Sequence, residues 1–126
     1  MKSLTKDYEI NASPAEVYDA LTNSDTVTKW SGFEAKIDPV PGGKFSFFGG
    51  QITGTNKEVS KDRIVQDWYA QGWEVPSKVT FNIKGDGDTT NVELVHEEIP
   101  DAAIDAITAG WDTKYLGVMK EYLDNK

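Results

Sequence analysis

One histidine, no cysteine and a scatter of carboxylates are the side chains here that could do chemistry, and their spacing limits that chemistry. His96 closes the alternating run Val92, Leu94, His96, so strand parity puts it on the same face as those two apolar residues. From a cavity mouth it could act as a general base or grip a ligand. The ordinary alternative, which weighs more, is a histidine hydrogen-bonded at a strand end ahead of the Ile99-Pro100 turn. No segment resembles a nucleophile elbow, so a Ser–His–Asp device has no attacking group. Without cysteine there are no disulfides, thiolate catalysis or thiolate-held zinc and iron–sulfur centres, and one histidine cannot complete a typical zinc site. Asp86, Asp88, Thr90 and Glu97 follow the spacing of a calcium loop, but Asn91 stands where that loop needs glycine. Gly43-Lys44 is followed by Phe45 where a phosphate loop needs serine or threonine. Asp67, Glu97 and Glu98 lie on strand patterns with no spacing that pairs them for acid–base work. No catalytic residue, metal ligand or cofactor is assigned.

The aromatic residues offer a better site. Ile107, Trp111, Tyr115 and Met119 recur at four-residue steps, the mark of one helix face, with Thr108 beside them. Phe81, Ile83 and Leu94, together with Val79, should face that stripe from a sheet. One reading is an ordinary core, favoured on size alone. The other is a hydrophobic pocket with polar tips from Tyr115, Thr108 and His96. On the pocket reading Trp111 has fewer contacts to lose than a packed core residue, so Trp111→Ala is expected to destabilise only mildly.

The elements that must position these residues can be followed along the chain. Leu4 to Asn11 reads as a first strand with Tyr8 and Ile10 on one parity. Ser13-Pro14-Ala15-Glu16 spells a capping box with proline in the first turn, predicting a helix to about Thr22. Asn23 can cap a second short helix carrying Val27 and Trp30. From Phe33 the period is two. Pro41-Gly42-Gly43 and Gly49-Gly50 bracket a short aromatic strand, and Lys84 to Asp88 is a Gly/Asp turn before the last strand. Pro100-Asp101 then opens a helical C-terminus, in which Gly110 is the expected weak point and the main helix runs on to about Leu123. The order is strand, two helices, six strands and a long helix, an α+β fold with an antiparallel sheet. Residues 1–126 read as one domain, with no linker or repeat to divide them.

Thirteen basic against 21 acidic residues give a formal charge of −8. Phosphate backbones and anionic lipids repel such a chain, so neither nucleic acid nor a membrane is expected as partner. The first residues turn charged too early for a signal peptide, and no run of about 18 apolar residues exists to span a bilayer, so a cytoplasmic location is expected.

Several separated segments carry a resemblance. Ala12 to Thr22 resembles the opening helix of the START-related helix-grip superfamily, to which the birch pollen allergens belong. Gly42 to Gly54, Arg63 to Trp68, His96 to Pro100, Gly110-Trp111-Asp112 and Tyr115-Leu116 resemble the activator of heat-shock protein 90 ATPase family in its C-terminal-domain form. The likeness covers nearly the whole chain. It implies a seven-stranded curved antiparallel sheet wrapped around the C-terminal helix, with a cavity between them. The co-chaperone that names the family carries a further N-terminal chaperone-binding domain, for which 126 residues leave no space. Three functions follow as expectations. The first is a non-enzymatic module holding a small hydrophobic or amphipathic molecule; the second is a module that contacts a chaperone ATPase; the third is a cyclase-like enzyme of the superfamily.

Overall fold

The structure, a computed structural model, describes residues 1–125. Strand β1 (Lys2–Ile10) ends with Tyr8 and Ile10 turned inward. Helix α1 (Pro14–Thr22) begins as its sequence demands: the Ser13 hydroxyl accepts from the Glu16 N–H, and the Glu16 carboxylate accepts from the Ser13 N–H. Helix α2 (Ser24–Ser31) is capped by the Asn23 side chain and closed by Gly32 in a left-handed conformation. Strands β2 (Lys36–Ile37), β3 (Lys44–Phe47), β4 (Ile52–Val59), β5 (Arg63–Ala70), β6 (Ser77–Gly85) and β7 (Thr90–Ile99) follow. The seven strands among the described residues form one sheet in the order β1-β7-β6-β5-β4-β3-β2, every neighbouring pair antiparallel.

Two bulges add curvature to this sheet. Between Lys2 and Leu4 of β1, two residues of β7 oppose one, and Glu98 takes a φ of 62° to absorb the extra length. Lys57 is the extra residue in β4, between the Asn56–Gln66 and Glu58–Val65 pairs. Beside it, buried Asn56 ties down the turn before β3. Its backbone exchanges hydrogen bonds with Gly42 and Gly43, and its side-chain amide donates to the Asp38 carbonyl.

The C-terminal helix departs from expectation in one respect. It runs unbroken through Gly110 as α3 (Ile104–Thr113), breaks at Lys114 and Tyr115, and resumes as α4 (Leu116–Asp124). Glycine weakens a helix without removing its hydrogen bonds, so Gly110 does not end it. The Gly110 carbonyl in fact accepts from the N–H groups of both Lys114 and Tyr115, which widens the last turn. The glycine that the break requires is Gly117. A Cβ there would collide with the Asp112 backbone carbonyl, so only glycine lets α4 start this close beneath α3.

Tethers fix the first half of the helix to β1 and the second half to Asn11, the residue that follows that strand. Asp112 accepts from Tyr8 Oη at 2.7 Å and Lys6 Nζ at 2.8 Å, and Asp124 accepts from the Asn11 backbone N–H at 2.8 Å. Helices α3 and α4 pack on β1, α1 packs on β6, and α2 meets α4. Their weight therefore falls on the β1–β7–β6 side of the concave face. The β5–β4 side is left more open.

Candidate functional site

A cavity of about 630 Å³ occupies that open side, within the range of small-molecule pockets. Ile52 of β4 and Trp68 and Ala70 of β5 contribute from the sheet; Ile107, Gly110, Trp111, Tyr115 and Val118 contribute from the broken helix. Phe33 and Phe48 stand at the rim with rings 6.1 Å apart, Phe33 being 54% exposed. No carboxylate or histidine lines the space, and its one cationic residue is the exposed Lys114.

Of the residues expected from the sequence, Trp111, Tyr115 and Ile107 line this cavity. Met119, Phe81, Ile83 and Leu94 are buried in the core outside its wall. Thr108 also lies outside the wall, and its hydroxyl donates to the Ile104 carbonyl on its own helix. The reason is the placement of the helices. Phe81 of β6 packs directly against Trp111 and Tyr115, whereas Ile52 of β4 and Ala70 of β5 face the open space, so β6 supplies packing and the β4–β5 side supplies the wall.

His96 is fully buried and both ring nitrogens are bonded. The Trp111 indole N–H donates to His96 Nδ1 at 3.0 Å, and His96 Nε2 lies 2.8 Å from Ser77 Oγ. An indole N–H can only donate, so Nδ1 is the acceptor and the ring proton sits on Nε2. Ser77 then accepts from His96 and donates its own hydroxyl to the Trp68 carbonyl at 2.9 Å. Every group from the Trp111 indole to the Trp68 carbonyl is satisfied. Burial pushes the His96 pKa down to about 3, so the ring stays neutral. His96 does not stand at the cavity mouth: it is hydrogen-bonded behind Trp111 and orients it.

Trp111 is correspondingly rich in contacts. Its ring stacks on Trp68 at 5.7 Å, meets Phe81 edge-on at 5.8 Å and lies 4.6 Å from Tyr115. It borders the cavity and is still a packed core residue, only 2% exposed. The expectation of a sparsely held Trp111 therefore gives way to a firmly held one.

Sequence reasoning passed over Trp68, Phe33, Phe48, Ile52 and Val118 as wall residues. Trp68 had a readable signal, since Ile64, Gln66 and Trp68 share one strand parity and are all buried. Phe48 had none. It sits in a 3-10 turn (Phe48–Gly50) with φ of 55°, a conformation that bulky side chains rarely adopt, and only the folded turn holds it there.

A curved antiparallel sheet gripping C-terminal helices, with a cavity between them, defines the helix-grip class of proteins. Residues 11–124 match the family described as "Activator of Hsp90 ATPase homolog 1-like protein", and the chain belongs to that family. It is similar to the "Activator of 90 kDa heat shock protein ATPase homolog" of Dictyostelium discoideum, with 34% identity over 123 residues, covering 94% of this chain and 32% of that protein. An HSP90 activator from Plasmodium falciparum superposes with a TM-score of 0.91 at 27% identity, covering 98% of this chain and 96% of that one. The Aha1 dimer from Colwellia psychrerythraea shares the fold, with a TM-score of 0.82 at 21% identity, covering 98% and 97%. The chain spans about a third of the length of the curated relatives it matches. Among the described residues no helix is long and apolar enough to cross a membrane.

Proposed function

We propose that this chain holds a small hydrophobic or amphipathic molecule in the cavity between the broken helix and β4–β5, without catalysing a reaction on it. The observation that carries this reading is the open space beside Gly110. A Cβ built there would meet nothing within 4 Å beyond its chain neighbours and its own helix backbone, although Gly110 lies in the middle of a helix and in the cavity wall. A packed core would fill that space. With no carboxylate or histidine in the wall, the arrangement favours holding a molecule over a cyclase-like reaction. The test uses N-phenyl-1-naphthylamine, a neutral apolar fluorophore, titrated into the protein and into Gly110→Leu. The expected result is an emission rise in the parent that is lost in the variant, with no loss of thermal stability. Undiminished dye binding by the folded variant would sink the reading.

A second reading rests on the relatives. Two of the similar proteins carry names of heat-shock protein 90 activators, and this chain matches one of them at 34% identity. On this reading the domain contacts a chaperone ATPase. Adding it to the host's own chaperone should raise ATP turnover; no change at large molar excess would remove this reading and leave the first untouched.

A further inference from the structure

The cavity wall is divided by polarity. Ile52, Trp68, Trp111 and Val118 are buried or half-buried in it, whereas Gln51, Gln71 and Lys114 line the same space and are exposed. Ile52 pairs with Ala70 across β4 and β5, so Gln51 and Gln71, just beyond that pair, stand at one end of those strands. Lys114 comes from the other side, at the break between α3 and α4. Among the described residues nothing pairs with the Lys114 ammonium or bonds the two glutamine side chains. Asp112, the carboxylate nearest to Lys114 in sequence, is bonded instead to Lys6 and Tyr8 of β1. In a chain of 21 acidic and 13 basic residues, an opening lined by one cation and no carboxylate is the exception.

We infer that the cavity takes amphipathic carboxylates: the apolar body enters between Ile52, Trp68 and Trp111, and the carboxylate stays at the rim on the Lys114 ammonium. This rests on the cavity being a ligand site and names the class of molecule it holds. The head stays outside because a carboxylate drawn inward would lose its water, and no cation lies deeper in the wall to replace it. At the rim it keeps that water and gains Lys114, with the Gln51 and Gln71 amides as further donors on the opposite side. Lysine suits the position, since its apolar stem can lie along the wall while the ammonium remains in solvent. One lysine matches one negative charge; a phosphate monoester, at about −1.5 to −2 near neutral pH, would leave the excess unmatched. An ammonium head would meet Lys114 with no carboxylate in the wall to receive it.

The test displaces N-phenyl-1-naphthylamine from the full chain at neutral pH with probes that share one alkyl chain: decanoate, decanol, decylammonium and decyl phosphate. Decanoate should bind about threefold to fivefold tighter than decanol, the yield of an exposed ion pair. Decylammonium should bind most weakly, although the chain as a whole carries a charge of −8. Lys114→Gln should bring decanoate down to the level of decanol, and Lys114→Glu should reverse the order of decanoate and decylammonium. Raising the salt should shrink the advantage of decanoate over decanol. In the parent protein, a nuclear Overhauser contact should join the methylene beside the decanoate carboxylate to the Lys114 side chain. That readout needs no variant to fold. If decanol or decylammonium equals decanoate, or if the advantage survives in Lys114→Gln, the carboxylate inference is overturned while the cavity remains a ligand site. Decyl phosphate binding tightest overturns the choice of carboxylate. If neither the dye nor any probe binds, the ligand-site reading falls along with it.

Discussion

Tyr115 carries a hydroxyl for which the chain supplies no partner, inside a cage of Trp30, Phe47, Phe48, Phe81 and Trp111 rings. Tyr115→Phe should therefore stabilise the free protein by about 1 kcal/mol in urea unfolding, because it deletes an unsatisfied buried group. A loss of stability would mean that the hydroxyl is paired after all. Trp111→Ala should cost about 3–5 kcal/mol, since it empties a packed volume and also strips His96 Nδ1 of its donor. His96 brings a pH dependence. Its folded pKa lies below its unfolded value of about 6.5, so as pH falls the unfolded chain takes up the proton first. Stability is full above that value and is lost towards about 3, with a slope approaching ~1.4 kcal/mol per pH unit from this residue alone. Denaturant midpoints at stepped pH should show the slope, and His96→Gln should flatten it while lowering stability at neutral pH.

At the scale of elements, the break between α3 and α4 is the feature that matters most. It places Trp111 at the end of one helix and Tyr115 at the start of the next, both against the cavity. An unbroken helix would carry α4 along the axis of α3 and away from the Asn11–Asp124 tether. Gly117→Ala drives a methyl into the Asp112 carbonyl and should cost about 1–3 kcal/mol, the usual penalty of overpacking. Gly110→Ala meets open space and should stabilise by about 0.5–1 kcal/mol through helix propensity. Thermal unfolding of the two variants side by side distinguishes these opposite signs. Equal effects would mean that the two glycines have the same role. Asp112, whose hydrogen bonds from Lys6 and Tyr8 hold its carboxyl below the usual range, ties α3 to β1 above that range and loosens its hold in acid.

At the scale of the whole molecule, the charge of −8 bears on the chaperone reading. If the domain contacts a chaperone ATPase, its acidic surface should meet a basic patch, and the affinity should fall between low and moderate salt. Binding unaffected by ionic strength would point to an apolar contact instead. The same charge does nothing to the cavity, whose wall holds a single cation at its rim.

Much of this protein was already decided locally. The capping box at Ser13 and Glu16, the glycine pairs around β3 and the period-two runs from Phe33 onward act over a few residues each. They determine the order of elements and the antiparallel sheet without reference to the rest of the chain. The stripe of Ile107, Trp111, Tyr115 and Met119 was likewise legible as one buried face. Which part of that face meets a cavity was not. It depends on where α1, α2 and α4 come to rest on the sheet, and those are contacts between residues far apart in sequence. Helical periodicity treats Trp111 and Met119 alike; only the packing leaves one against a cavity and the other in solid core. The helix break escaped for a similar reason. Gly117 is one of 11 glycines in the sequence, and only the folded chain shows the Asp112 carbonyl lying where its side chain would be.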